Sequence, residues 1–316
     1  MSDPHLQTVR REPHEPDVEV ADVTLREHGQ TVSEEELEKF GVDLRVSTAL
    51  ALTEAGFRRL ELVSCVSPEV APAMSESLIR EVTEGVGRPA GVRLVTLVPN
   101  RQGFETFQRV GLGRDGLAHS AGLFLSAVEE HNRANLGRAI AETFREYAAL
   151  VKELRRTDTE LIAYVSAAFG YRPRPIDKVL RVSPDALYDH VMRFFELGAE
   201  TVTLSDLQGV AGPSRTEDTL AALTERLDGE HVARLGYHPH HQDPEAGLAL
   251  VGVAYDVGIR RFDASLGATG GCVTGAPGNV PTEGVLALLE ERGAYTGIDR
   301  AAVLHAAEAF AQGRVN

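Results

Sequence analysis

Cysteine is scarce in this chain: there are two in 316 residues, Cys65 and Cys272. That excludes a disulfide framework and fits a reducing compartment, the cytoplasm. Long hydrophobic runs are missing. None approaches the roughly 18 residues needed to span a bilayer, so no membrane association is expected. The opening segment, MSDPHLQTVRREPHEPD, carries charges of both signs and no apolar stretch, unlike a secretory signal. Residues 1–17 are expected to form a polar arm, disordered or loosely docked. Basic residues are outnumbered, 32 Lys and Arg against 47 Asp and Glu, for a net charge of −15. A nucleic-acid partner is therefore not expected, because a phosphate backbone wants a basic face. A small anionic substrate stays compatible if local basic groups or a metal attract it.

Hydrophobic residues make up 43% of the chain and charged residues 25%, which is ordinary globular usage. Nothing in the middle reads as an interdomain linker, so residues 18–316 are expected to form one domain ending in a helical extension. Short β-rich runs alternate with longer amphipathic stretches, the mark of βαβ units and a parallel sheet. The strand candidates are VEVADVTLRE (18–27), RRLELVS (58–64), VRLVTLVP (92–99), GLAHSAGLFLS (116–126), TELIAYVSAA (159–168), ETVTLSD (200–206), VARLGYHPH (232–240) and IRRFDASLGA (259–268). A helix is expected over residues 34–56, ending at Gly56. The endings "EAGF", "ELGAE" and "DVGIRR" put a glycine between a helix and the next strand, as in C-capping followed by a short loop. Eight such repeats predict an α/β fold, a (β/α)8 TIM barrel. A doubly wound open sheet is the alternative, but it calls for a glycine-rich turn after the first strand. Here that turn reads Glu27-His28-Gly29-Gln30.

In a barrel the chemistry sits at the C-terminal ends of the strands. Arg26, Glu27 and His28 close the first strand candidate, and the second carries Glu61. The sixth ends in Asp206 and the seventh in His238-Pro239-His240-His241; the loop GATGGCVTGAPGN follows the eighth. On an extended strand residues i and i+2 share a face. His238 and His240 can thus offer two imidazoles to one ion, with a carboxylate from Glu27 and a carbonyl from Asn279 completing the set for a hard divalent cation. His241 faces the other way. Cys272 sits where a thiol can move over the barrel mouth, although a free cysteine is more often inert and buried; Cys65 reads as structural. Arg26 is either a barrel ion pair or a fixed cation for an enolate or alkoxide oxygen. Arg172, Arg174, Lys178 and Arg181, beyond the fifth strand, either attract an anionic substrate tail or form a solvated loop.

From about Val18 to about Leu289 the motifs resemble the 3-hydroxy-3-methylglutaryl-CoA lyase branch of the metal-dependent aldolase-like barrels, which also include isopropylmalate and homocitrate synthases. DVTLREHGQT is similar to the family's first-strand D-T-T-L-R-D-G-x-Q, and ELVSCVSPEVAPAM to the second-strand E-x-x-S-F-V-S-P-K-x-V-P-Q-M. LVPNRQGFE, YVSAAFGY, LSDLQGVAGP, GYHPHHQDPEAG and GGCVTGAPGNVPTE follow the lyase pattern in turn. The resemblance implies that His238, His240, Asn279 and Glu27 hold Mg2+ or Mn2+, in preference to Zn2+ or Fe2+. It implies Arg26 as the oxyanion stabiliser, Cys272 as the acid/base of a mobile loop, and Glu61 and Asp206 as site carboxylates.

Several positions depart from that pattern. Glu27 stands for the family's Asp and is one methylene longer. His28 replaces a glycine and is expected to crowd the metal or touch substrate. Leu207 replaces a threonine, Ala167 and Ala168 stand where the lyases commonly have a cysteine, and a lysine is missing from GQTVSEEE. The loop from Cys272 to Asn279 is shorter than in typical lyases. The implied activity is a carbon–carbon lyase on a 3-hydroxy-3-methylglutaryl-CoA-like or related hydroxy-acid substrate, a small molecule and a possible CoA thioester, with Arg172 and Arg174 near its tail. A condensing synthase is the alternative, and a binding protein that has lost its metal the third. No room is expected for a synthase's extra domains, and a homodimer is the expected assembly.

Overall fold

The computed structural model describes residues 15–113, 119–157, 159–173, 178–271 and 277–315. Eight parallel strands close on themselves in sequence order: β1 (Glu19–Asp22), β2 (Arg59–Ser64), β3 (Arg93–Leu97), β4 (His119–Ser126), β5 (Leu161–Ser166), β6 (Ala199–Asp206), β7 (Leu235–Pro239) and β8 (Arg261–Ala264). Closure is made by β1 and β8, which pair from Glu19 against Arg261 to Asp22 against Ala264. The strands are buried at nearly every position because both faces are covered, one by the barrel interior and one by helices; all six residues of β2 are buried.

The helices are α1 (Thr24–Gly29), α2 (Val42–Glu54), α3 (Glu76–Val86), α4 (Arg101–Val110), α5 (Glu129–Leu136), α6 (Ile140–Leu154), α7 (Pro184–Leu197), α8 (Pro213–Thr224), α9 (Gly229–Ala233), α10 (Pro244–Val257), α11 (Thr282–Glu291) and α12 (Arg300–Gly313). Local chemistry sets their ends. Ser183 caps α7 by accepting from the Ala186 N–H, with Pro184 in the first turn. Asp243 does the same for α10 through Glu245 N–H. Gly198 and Gly258, at φ 93° and 111°, then take the left-handed conformation that ends these helices.

Two elements differ from expectation. The first strand does not run to Glu27 but stops at Asp22, where the carboxylate accepts the Thr24 N–H at 2.9 Å and the Thr282 hydroxyl at 2.9 Å. These bonds turn the chain into α1, so Arg26, Glu27 and His28 sit on a short helix. The helix expected from residue 34 begins only at Val42, because Gly41 is extended (ψ 177°) and interrupts it. Of the polar arm, residues 15–17 are described, and Asp17 is tied to Tyr295 by backbone hydrogen bonding at 2.8 Å. At the other end of the chain, Phe310 of α12 packs on Phe40, with ring centroids 6.3 Å apart.

Candidate active site

The seventh strand delivers both imidazoles to the C-terminal mouth of the barrel, buried. Each Nδ1 has an acceptor of its own: Asp263 Oδ2 lies 3.2 Å from Nδ1 of His238, and the Pro277 carbonyl 3.0 Å from Nδ1 of His240. An Nδ1 that donates its proton leaves the other ring nitrogen as a lone pair. The two Nε2 atoms face each other at 2.9 Å. Glu27 of α1 adds a carboxylate, 3.8 Å from His238 Nε2. Two lone pairs and an anion converging in a buried space repel one another unless a cation lies among them. Ligand atoms of Glu27, His238 and His240 all fall within 4.8 Å of one another, close enough to share an ion.

Titration follows the same layout. Burial pushes His240 down to about 4, and the neighbouring His238 adds to the effect. Burial also works against protonating His238, yet the Asp263 carboxylate, with help from Glu27, leaves it raised. Burial alone would raise Glu27, but Arg26 and the two histidines hold it below the usual carboxylate range. The centre therefore keeps its carboxylate ionised and cannot easily hold both imidazoles charged. Asn279 pairs with His240 across an isolated antiparallel bridge, and its Nδ2 donates to the Thr269 carbonyl at 3.0 Å, which fixes the amide beside the histidine. Two imidazoles, a carboxylate and an amide oxygen suit a divalent cation.

Arg26 joins this centre to a second carboxylate. It is paired with Glu27, donates from Nε to Glu61 Oε2 at 2.6 Å, and reaches Gln30 at 3.2 Å. Tyr164 of β5 donates its hydroxyl to the other Glu61 oxygen. Behind His238, the fully buried Arg59 binds Asp263 at 2.6 Å, and although burial opposes it, that guanidinium lowers the Asp263 pKa. Tyr164, Asp263 and Arg59 were not singled out in the sequence. Their only signal in the sequence is a polar side chain within a strand buried on both faces.

Close backbone packing explains two loops. A Cβ on Gly270 would come within 2.6 Å of Glu27 Cβ, and one on Gly209 within 2.7 Å of the His240 carbonyl. The glycine-rich loop after β8 thus starts pressed against one candidate ligand, and the loop after β6 against another.

Other expected site residues lie elsewhere. Asp206 turns away from the pocket: its oxygens accept the N–H groups of Val210 and Ala211 at 3.0 and 2.8 Å. Burial raises its pKa against those two bonds. His28 does not crowd the metal centre. Its ring packs edge-on against Phe40 and Phe310, with centroids 4.7 and 5.8 Å away, because α1 turns it outward one residue after Glu27. His241 is engaged with Asp243 at 2.8 Å. Arg172 brackets Gln208 through its backbone, donating to Oε1 at 2.7 Å, and does not line the pocket. Cys65 is buried, which pushes its thiol up and leaves it inert. Cys272 and Arg174 lie outside the described residues.

The centre opens into a pocket of about 290 Å³. Arg26, Gln30 and Ser205 line it near the histidines; Leu97, Phe124 and Leu207 make it apolar farther out. No helix among the described residues is long and apolar enough to cross a membrane.

Barrel and centre together define the class: an α/β-barrel enzyme with a candidate divalent-metal site at its C-terminal mouth. The chain belongs to the HMGL-like family, whose family model matches residues 17–309, a family of divalent-metal-dependent lyases and aldolases. It is 33% identical over 270 residues to the hydroxymethylglutaryl-CoA lyase of Pseudomonas mevalonii, spanning 85% of this chain and 84% of that protein. The (R)-citramalyl-CoA lyase of Chloroflexus aurantiacus is 31% identical over 274 residues, spanning 84% and 82%. Among solved structures, an HMG-CoA lyase from Acinetobacter baumannii in complex with coenzyme A and 3-methylmalate superposes with a TM-score of 0.81 at 28% identity, covering 95% of this chain and 92% of that one.

Proposed function

We propose that this carbon–carbon lyase cleaves a 3-hydroxyacyl-CoA thioester of the 3-hydroxy-3-methylglutaryl-CoA kind. The observation that carries the reading is the pair of facing imidazole nitrogens beside Glu27, each ring fixed by its own Nδ1 acceptor. Glu27, His238, His240 and Asn279 would hold a divalent cation, which would supply Lewis acidity to a substrate hydroxyl. Mg2+ or Mn2+ is the expected ion, because Glu27 and Asn279 offer hard oxygen donors.

The residues around that centre handle protons and charge. Tyr164, donating to Glu61, takes the hydroxyl proton and passes one on to that carboxylate. The C3 hydroxyl becomes a carbonyl as the C2–C3 bond breaks, and its electron pair passes to C2 and the thioester oxygen. Arg26 offsets that developing charge with a fixed guanidinium. Cys272 returns a proton to C2. Asp206 acts as a positioning residue, holding the loop whose Gly209 packs on His240. We further take the enzyme to be a cytoplasmic homodimer, a state that light scattering measures directly.

The test is a metal analysis of the purified protein followed by incubation with 3-hydroxy-3-methylglutaryl-CoA and Mn2+. Acetoacetate and acetyl-CoA are the expected products. Metal-loaded protein that releases neither removes this substrate, and protein that retains no divalent ion removes the mechanism.

A further inference from the structure

One side chain on the pocket wall has no task in this mechanism. His131 of α5 is 2% exposed, and among the described residues neither Nδ1 nor Nε2 has a hydrogen-bond partner. It lines the same pocket as His238 and Arg26, beside Phe124, Leu136 and Ser166. Its ring is held in place: it lies 4.4 Å from the Tyr171 ring at 33°. The next residue, Asn132, accepts the Ser126 N–H at 3.0 Å and donates to Arg138 O and Thr143 Oγ1 at 2.9 Å each. The imidazole therefore cannot swing out to find water. A buried polar group without a partner is costly, and a leucine or phenylalanine would fill this apolar wall without that cost.

We infer that His131 selects the substrate by hydrogen-bonding a hydroxyl on the acyl chain, beyond the hydroxyl that the reaction consumes. The chemistry narrows the ligand. A neutral imidazole donates from one nitrogen and accepts at the other, and burial pushes this one down to about 4, so it is neutral near pH 7. A hydroxyl pairs with whichever ring nitrogen faces the pocket, as donor or as acceptor, whereas a carboxylate pairs only with an N–H and a methyl group with neither. The substrate class is a 3-hydroxyacyl-CoA thioester bearing a second hydroxyl where 3-hydroxy-3-methylglutaryl-CoA has only carbon and hydrogen. This inference rests on the lyase reading for the nature of the ligand, and on the geometry of His131 for its polarity.

Two thioesters test it, 3-hydroxy-3-methylglutaryl-CoA and its 3-hydroxymethyl analogue, each with the metal-loaded wild type, His131→Leu and His131→Gln. The readout is the ratio of kcat/KM for the analogue over the methyl compound. The wild type is expected to favour the analogue about tenfold or more, since a site left with unpaired polar groups discriminates strongly. His131→Leu should collapse or invert that ratio, and His131→Gln should restore part of it. An unchanged ratio in His131→Leu overturns the proposal, as does a wild type that prefers the methyl compound. Calorimetric titration of the same pairs separates the two readings. If the wild type binds the analogue more tightly, His131→Leu does not, and nothing is cleaved, the proposed substrate reaction falls and the role of His131 stands; no binding of either thioester removes both. Thermal unfolding confirms that each variant is folded.

Discussion

The two walls of the pocket treat histidine in opposite ways. On the wall made by β7 and β8, each imidazole is tied down by an acceptor, Asp263 or the Pro277 carbonyl, and both point a nitrogen at one spot. On the wall made by α5 and the end of β5, His131 is just as buried and has no polar partner among the described residues. On the proposed reading the first wall is pre-organised for an ion that every turnover needs and the second for one particular substrate, so chemistry and selectivity sit on opposite walls.

The strongest break of that contrast is His240→Ala, expected to lose bound metal and activity by a thousandfold or more, in line with several kcal/mol of Lewis-acid stabilisation. Inductively coupled plasma analysis and product release check it, and retention of either contradicts the assignment. Asp263→Ala tests the support behind the first wall. It leaves Arg59 buried without its nearest anion, so unfolding should become easier by about 3–5 kcal/mol, and Asp263→Asn should weaken metal binding by roughly 10–100-fold. Tyr164→Phe, which lies between the walls, should cut kcat by about a hundredfold with metal content unchanged; unaltered turnover would take Tyr164 out of the proton path. On the second wall the sign reverses. His131→Leu removes an unpartnered polar group and should raise the unfolding free energy by about 1 kcal/mol, measured by urea denaturation. The smallest effect is expected at Ala167, a non-glycine residue held at φ 52° next to Ser166. Relief of left-handed strain by Ala167→Gly outweighs the glycine entropy cost by about 0.5 kcal/mol, read as a slight rise in Tm.

The barrel was legible because its signals are local. Strand runs of branched apolar residues, and helices closed by Gly198 and Gly258, announce themselves within a few positions. His238 and His240 were legible for the same reason, since an alternate spacing on a strand guarantees a shared face. What the sequence hid depends on partners far along the chain. Glu61 meets Tyr164 across 103 positions, and Arg59 meets Asp263 across 204. Asp206 looked like a site carboxylate by type and place, but four and five residues later the chain offers it two backbone N–H groups. His28 would face the centre only if the first strand ran through it, and that strand ends at Asp22. Once Asp22 turns the chain into a helix, the residue after Glu27 points elsewhere.

That outward turn of His28 links the proposed ligand Glu27 to α12, because the imidazole packed against Phe310 belongs to the very next residue. Whatever unseats Phe310 is therefore expected to reach Glu27 through a single peptide link.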